Sequence, residues 1–478
     1  MSSKLGHKII KGTLWVSFDR FGSMGLQFLI NLILARLLTP KDFGYIGIIY
    51  VFISVSQTFI DSGFGSALIQ KKEPTQTDYS SIFYWNLISS SLIYIILFFC
   101  APLIAIFFDA SILCNILRVL GLILIINSLG IVQLNRLRKN ISFHIIAIIN
   151  VSSYLLAGIL AIWSALSGLG VWSLVILHLT YSFINISIVW IKVKWIPSFI
   201  FSLKSFKELF QFGGYLLGAN ILQTISLNIQ NVIIGKKFSP TVMGFYSQAQ
   251  RLQDLSTNAI PGITTQIVFP VFSMFQNNKD QLTKVLSTAI KLISYCVFPL
   301  LLGLITFAEP LFEFLYGDKW LSSVPYFKVL CFGGLFVCLQ NINYYAVAAL
   351  GKSRALFNWS FYKWGFLLIS IFIGSFFNIY GILYGLVISS VNIYMVNCYL
   401  VQKYLGFSIL YQFKELTPII LTNIVNFIFC LQIEHFFPDL NIFVYFLCFI
   451  LSYIALTLIF RLGIIKDFKM VKTYIAVR

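Results

Sequence analysis

Apolar residues run through the chain in stretches of roughly 20, the length at which an α-helix spans the hydrocarbon core of a bilayer. The pattern predicts spans near residues 12–37, 44–67, 81–107, 114–134, 143–166, 170–191, 208–235, 243–272, 285–308, 322–349, 355–377, 380–401, 416–436 and 440–462. The breaks carry turn-forming or polar residues, as in Thr39-Pro40-Lys41-Asp42, Lys71 to Asp78, Ser167-Gly168 and Gly351-Lys352-Ser353. The first run follows Lys4, Lys8 and Lys11, is interrupted by Asp19-Arg20 and lacks a small-residue cleavage site. It therefore reads as a membrane helix and not as a cleaved signal. An even number of spans puts both termini on the same side.

Composition agrees with the pattern. The 478 residues are 59% hydrophobic and only 10% charged, against roughly 45–50% and 25% in a soluble domain. At roughly 20 residues per crossing, the apolar content suffices for about 14 transmembrane helices and leaves little for a soluble domain. The expected fold is an all-α polytopic membrane protein.

A net charge of +18 raises the question of nucleic acid, but the cations sit singly or in small groups between apolar runs. That is the signature of membrane loops, so a nucleic-acid partner is not expected. Sorted onto alternate loops, 23 of the 34 cations fall on the side of the termini, and Arg36, Lys41, Lys236, Lys237 and Lys319 on the other. The positive-inside rule then predicts a multi-pass protein of the bacterial cytoplasmic (inner) membrane with both termini in the cytoplasm. The eight cysteines show no C-x-x-C spacing and the four histidines are isolated. No metal site or bound cofactor is expected.

The chain repeats itself at an offset of 200 residues. Asn31-Leu32-Ile33-Leu34-Ala35-Arg36 leads to Pro40 and Gly44-Tyr45, and Asn231-Val232-Ile233-Ile234-Gly235-Lys236 leads to Pro240 and Gly244-Phe245. Six predicted spans separate the copies, so the units share one orientation, a parallel-repeat arrangement. The expected organisation is a six-helix lobe over 1–200, a second over 201–405, and an added helix pair with a cytoplasmic tail over 406–478.

Ala35-Arg36-Leu37-Leu38-Thr39-Pro40-Lys41-Asp42-Phe43-Gly44-Tyr45 and Asp61-Ser62-Gly63-Phe64-Gly65-Ser66-Ala67-Leu68-Ile69-Gln70-Lys71-Lys72 resemble the N-terminal signature of bacterial polysaccharide transporters. These are lipid-linked oligosaccharide flippases of the multidrug/oligosaccharidyl-lipid/polysaccharide exporter superfamily. Asn228-Ile229-Gln230-Asn231-Val232-Ile233-Ile234-Gly235-Lys236 with Met243-Gly244-Phe245-Tyr246 is similar to the matching signature of the second lobe. Many relatives carry an acidic residue where this chain has Gln230, so an ion-coupling role assigned there does not carry over. The resemblance implies two lobes around a central cavity. It also implies alternating access that moves an isoprenoid-diphosphate-linked oligosaccharide to the outer leaflet for O-antigen, capsule or exopolysaccharide synthesis, alongside polysaccharide polymerase or ligase machinery.

A diphosphate-bearing substrate calls for cations inside the membrane, where ionisable residues are costly and mark functional positions. Arg20, Arg118, Arg251, Lys291, Lys328 and Lys363 fall within predicted spans, against Asp19, Asp61 and Asp254. Arg20, Arg251, Lys291 and Lys363 are the candidates for the diphosphate. Arg251 and Asp254 are also spaced for a local ion pair, and Lys291 and Lys363 are close enough to span ends to reach headgroups. Arg118 and Lys328 lie near outer ends. Asp19, Asp254 and Asp61 are the candidates for coupling to a proton or sodium gradient, and Pro261-Gly262 is the candidate hinge against a plain packing role. A drug/cation antiporter of the same superfamily would carry an acidic excess in its spans. A membrane-embedded polymerase or glycosyltransferase would carry a sizeable outer loop with clustered acidic or His/Arg groups. Neither pattern is present, so the chain is not expected to be an enzyme.

Overall fold

The computed structural model describes residues 2–61, 64–71, 73–140, 142–257, 268–437 and 442–460. Among these the secondary structure is helical, with no strand, and the described residues divide into two compact units, Met1–Ser247 and Gln248–Arg478. Nine helices among them are long and apolar enough to cross a membrane, and a bent pair makes a tenth. The polytopic all-α fold is thus the one expected.

The first unit runs α1 (Ser2–Leu37), α2 (Pro40–Asp61), α3 (Phe64–Gln70), α4 (Gln76–Phe107), α5 (Ile112–Leu120), α6 (Leu122–Ser128), α7 (Ile131–Lys139), α8 (Phe143–Leu166), α9 (Trp172–Val193), α10 (Leu203–Lys237) and the start of α11 (Pro240–Thr257). Polar residues in the breaks set where helices begin. At α2 the Thr39 amide donates to Asp42 Oδ2 at 2.9 Å and the Asp42 amide to Thr39 Oγ1 at 3.4 Å. Thr75 and Asp78 make the same reciprocal cap on α4, each satisfying amides that the first helical turn leaves without partners.

The fourth expected span, 114–134, is not one straight helix. Ile112–Ser128 and Ile131–Lys139 meet at a 43° bend, centred on Leu129-Gly130 with no proline in the segment. The bend is held by what it frees: the Leu129 carbonyl accepts from Trp190 Nε1 at 3.0 Å. Gly130 faces Ile186 so closely that a Cβ there would collide with its Cδ1. As a result α7 carries Asn135 and Arg138 in a direction that a straight helix would not give them.

The sequence repeat has a structural counterpart inside this unit. A Cβ on Gly44 would fall on the carbonyl oxygen of Pro240, and one on Gly244 on that of Pro40, 2.5 and 2.6 Å from the carbonyl carbons. Positions 200 residues apart therefore meet reciprocally, at a spacing that only glycine allows. At one end of the unit Lys236 pairs with Asp109 at 2.8 Å. At the other, Lys71 pairs with Asp78 at 3.1 Å, and Arg136 stacks against Tyr79 and Trp195.

The second unit continues through α12 (Phe269–Met274), α13 (Lys279–Thr306), α14 (Ala308–Tyr316), a 3-10 turn (Asp318–Ser323), α15 (Val324–Ala349), α16 (Ser353–Gly374), α17 (Ile379–Leu405), α18 (Ile409–Phe436) and α19 (Ile442–Ile459). Asn278 caps α13 through the Gln281 amide at 3.1 Å, and Asn378 caps α17 through that of Gly381 at 3.0 Å. Residues 258–267, within the eighth expected span and containing the hinge candidates Pro261 and Gly262, lie outside the described residues.

Candidate functional site: a polar cavity in the first unit

A cavity of about 600 Å³ lies within the first unit, bordered by α2, α3, α6, α7, α8, α9 and α10. Its polar wall is rich in amides: Gln57, Asn127, Asn135, Asn150, Asn185 and Asn220. An amide offers two donors and a two-fold acceptor, so six around one space present both kinds of group in several directions. Asn135 and Asn185 are buried. Placing polar side chains there within otherwise apolar helices costs free energy unless something hydrogen-bonds to them.

Behind this wall sits Asp19. Asn150 Nδ2 donates to its two oxygens at 3.0 and 3.2 Å, and Ser23 Oγ donates to one of them at 3.2 Å. Asn150 Oδ1 accepts in turn from Asn185 Nδ2 at 3.0 Å and from the Tyr181 hydroxyl at 3.5 Å. The Tyr181 ring stacks on Tyr154 with centroids 3.8 Å apart. The carboxylate on α1 is thereby tied through one amide to two residues of α9 that line the cavity, which links any change of charge at Asp19 to the cavity wall.

At one end of the cavity, where α2 and α7 finish, stand Asp61 and Arg138. Gln57 Nε2 donates to Asp61 Oδ1 at 3.3 Å. The flanking cations of α7 hold structure. Lys139 Nζ donates to the carbonyls of Leu68 at 3.2 Å, Ile69 at 3.4 Å and Lys71, closing the end of α3. Arg136 lies between two aromatic rings, 5.3 Å from that of Tyr79 and 5.8 Å from that of Trp195.

The remaining candidates are distributed differently. The Arg20 side chain lies outside the described residues. Arg251 and Asp254 are on α11 in the second unit, Arg251 exposed and Asp254 half-buried. Lys291 makes a 3.1 Å ion pair with Glu415, a carboxylate that also accepts from Ser287 Oγ at 3.1 Å. Lys363 is half-buried with its ammonium 4.6 Å from the Trp364 ring centre. Among the predicted residues, then, Asp61 borders the cavity, Asp19 is one hydrogen bond from it, and Lys291 is held by a neighbouring helix. The amides and Arg138 are additions from the structure. The signal for the amides was present as neutral polar residues inside apolar runs. Arg138 lies four residues beyond the expected end of its span, and so read as a loop cation.

The second unit has an apolar groove of about 480 Å³ between α13, α14 and α19, lined by residues such as Leu300, Gly303, Phe307, Phe314 and Phe449. Among the described residues, no group of three or more His, Cys, Asp or Glu side chains is placed to hold a metal.

Residues 33–325 match the family described as "Polysaccharide biosynthesis protein". The teichuronic acid biosynthesis protein TuaB of Bacillus subtilis (strain 168) is 26% identical over 355 residues, covering 74% of this chain and 73% of that protein. The succinoglycan biosynthesis transport protein ExoT of Rhizobium meliloti (strain 1021) is 25% identical, covering 72% of this chain and 70% of that protein. Among solved structures, lipid II flippase MurJ in an inward closed conformation superposes with a TM-score of 0.74 at 16% identity, covering 95% of this chain and 99% of that one. That likeness establishes the fold.

Proposed function

We propose a function from one premise: the chain belongs to the family of polysaccharide biosynthesis proteins. It is a flippase that carries an isoprenoid-diphosphate-linked oligosaccharide from the cytoplasmic to the outer leaflet, supplying the assembly of a surface polysaccharide such as O-antigen, capsule or exopolysaccharide. The observation that carries this reading is the amide-lined cavity within membrane-spanning helices. A glycan leaving water must exchange its hydration for other hydrogen bonds, because an unpaired hydroxyl in an apolar setting costs about 2–7 kcal/mol. Amides supply donors and acceptors to hydroxyls of any orientation, which suits a bulky neutral polyol better than a drug cation. The roles named for TuaB and ExoT, and the fold shared with a lipid II flippase, support the same reading.

The working parts follow. The lobes 1–200 and 201–405 alternate access, with 406–478 as an added helix pair. The protein sits in the bacterial cytoplasmic membrane with both termini in the cytoplasm, an orientation supported by the cation asymmetry. The open end of the cavity at Asp61 and Arg138 then faces the cytoplasm. Arg20, Arg251, Lys291 and Lys363 serve the diphosphate along the path, Lys291 on release from Glu415, and Pro261-Gly262 bends during the cycle. Asp19 couples transport to a proton or sodium gradient, since its charge is held by donors connected to the cavity wall; Asp254 and Asp61 are further coupling candidates. The product passes to polymerase or ligase machinery in the outer leaflet, and no bond is made or broken by the chain itself.

The test is reconstitution into sealed vesicles with a labelled lipid-linked oligosaccharide, following its exposure to an impermeant sugar-modifying reagent. Protein-dependent crossing that falls when Asn135 and Asn185 are both replaced by Leu supports the reading. Absence of crossing with and without ion gradients, together with export of cationic dyes, would replace it by drug antiport.

A further inference from the structure

Between α9 and α10 the chain leaves helical geometry over residues 194–202. Lys194, in the left-handed region at φ 49°, ends α9, and Ser202 caps α10 through the Ser205 amide at 3.3 Å. One edge of this strap is sewn to the first turns of α4. Gln76 Nε2 donates to the Ile196 carbonyl at 2.9 Å, and Gln76 Oε1 accepts from Trp195 Nε1 at 2.6 Å. The Ser198 and Ser202 amides donate to Ser80 Oγ and Ser81 Oγ at 3.0 and 2.9 Å. Trp195 is thereby buried beside Tyr79 and Phe83. The opposite edge is apolar and uncovered: Phe199 is 99% exposed, Ile196 74% and Leu203 65%, with Ile200 and Phe201 exposed as well. Around them stand Lys192, Lys194, Lys204 and Lys207, the only charged residues from 192 to 207. All four are exposed, and none forms an ion pair among the described residues.

We propose that this strap is a binding site for anionic phospholipid, its apolar side chains entering the acyl boundary and its lysines taking the headgroup phosphates. The site goes beyond the transport reading and does not depend on what the chain carries. Exposed apolar side chains on the spans face acyl chains and need no further partner, but those on the strap are placed differently. A backbone without helical hydrogen bonds does not lie in hydrocarbon facing lipid. The 22 residues of α9 extend about 33 Å at 1.5 Å per residue, close to the thickness of the hydrocarbon core, so the strap begins at the level of the headgroups. Large apolar side chains clustered there gain by leaving water for the boundary just beside them. Charge then selects the lipid. Four cations with no acid among them, on both flanks of the apolar edge, match negative headgroups, at roughly 5-fold in affinity for each lysine near such a surface. The strap's other edge holds α4, and its ends continue into α9 and α10, which border the cavity. Bound lipid therefore braces that end of the first unit.

The test places a genetically encoded fluorescent amino acid at position 199 of the full-length protein, in nanodiscs of phosphatidylcholine mixed with phosphatidylglycerol and without transport substrate. Bromines on the acyl chains of one lipid or the other then quench the label by contact. Both should quench, and at equal mole fraction brominated phosphatidylglycerol should quench roughly 5-fold more than brominated phosphatidylcholine, the worth of one lysine. High salt should shrink that preference. Replacing Lys192, Lys194, Lys204 and Lys207 together by Gln should abolish it while contact quenching persists. Lys279→Gln with Lys284→Gln, an equal kind of change on α13, should leave it intact. Equal quenching by the two brominated lipids in the wild type, or a preference that survives loss of the four lysines, overturns the proposal. So does a label that neither lipid quenches but aqueous iodide does, which would assign the patch to a protein partner. None of these outcomes involves a transported lipid, so the flippase reading is decided separately in the vesicle assay.

Discussion

Alanine at position 44 sets a methyl against a backbone that has no room for it. The new carbon would lie on the Pro240 carbonyl oxygen and 2.5 Å from the carbonyl carbon, against ordinary contact beginning near 3.4 Å. The helices must therefore separate by more than about 0.9 Å, because the oxygen lies nearer than the carbon. A peptide carbonyl cannot rotate aside as a side chain can, so the cost falls in the range of overpacking, about 1–3 kcal/mol or more. Gly47, on the same helix, is the internal control, because its nearest neighbour would be the flexible Met243 Cε at 2.8 Å. Both substitutions gain about 1 kcal/mol of helix propensity, so the difference between them isolates the clash. Thermal unfolding of the detergent-solubilised protein, followed by tryptophan fluorescence, should place Gly44→Ala below Gly47→Ala by about 1–3 kcal/mol. Adding Gly244→Ala to Gly44→Ala should cost less than Gly244→Ala alone, since the gap is already open. Equal stability of the Gly44 and Gly47 variants, with additive double-variant losses, would refute the reciprocal contact.

Other consequences can be checked in the same preparations. Trp190→Phe removes the donor to the Leu129 carbonyl and should destabilise by about 1–3 kcal/mol; no loss in unfolding measurements would mean that the bend does not depend on it. Lys291→Met and Glu415→Gln break a half-buried pair, and a double-mutant cycle should return a coupling of about 0.5–3 kcal/mol, with zero coupling contradicting the pair. Asp19→Asn should abolish any dependence of transport on an imposed ion gradient, and Asn150→Leu should act in the same direction because it removes the amide nitrogen that donates to both oxygens of that carboxylate. Gradient-driven transport unchanged in both variants would remove Asp19 from coupling.

The membrane fold was readable because apolar runs of span length are a one-dimensional signal, and the repeat because Asn31 to Gly44 and Asn231 to Gly244 keep the same spacing. The turn residues also acted locally, as Thr39-Asp42 and Thr75-Asp78 do at their helix starts. The bend at Leu129-Gly130 escaped because no proline marks it; its cause is the indole of Trp190, sixty-one residues on. That bend in turn concealed Arg138, which a straight span ending near residue 134 leaves in a loop. The partner of Lys291 was hidden in a similar way, since Glu415 comes from a helix that is far along the chain but adjacent in space. The amide wall was passed over because attention to charge ignores neutral side chains, although Asn127, Asn150 and Asn185 all interrupt apolar runs. What the sequence does not carry is convergence, and the cavity is made of residues drawn from seven helices.

The central claim is that the glycan travels through the first unit's cavity. The most direct measurement is photocrosslinking of the purified protein with a lipid-linked oligosaccharide carrying a diazirine on its sugars, the adducts mapped by mass spectrometry. The account predicts adducts on α7, α8 and α9 around Asn135, Asn150 and Asn185, competed away by unlabelled substrate. Competable adducts confined to helices that do not border the cavity would contradict it.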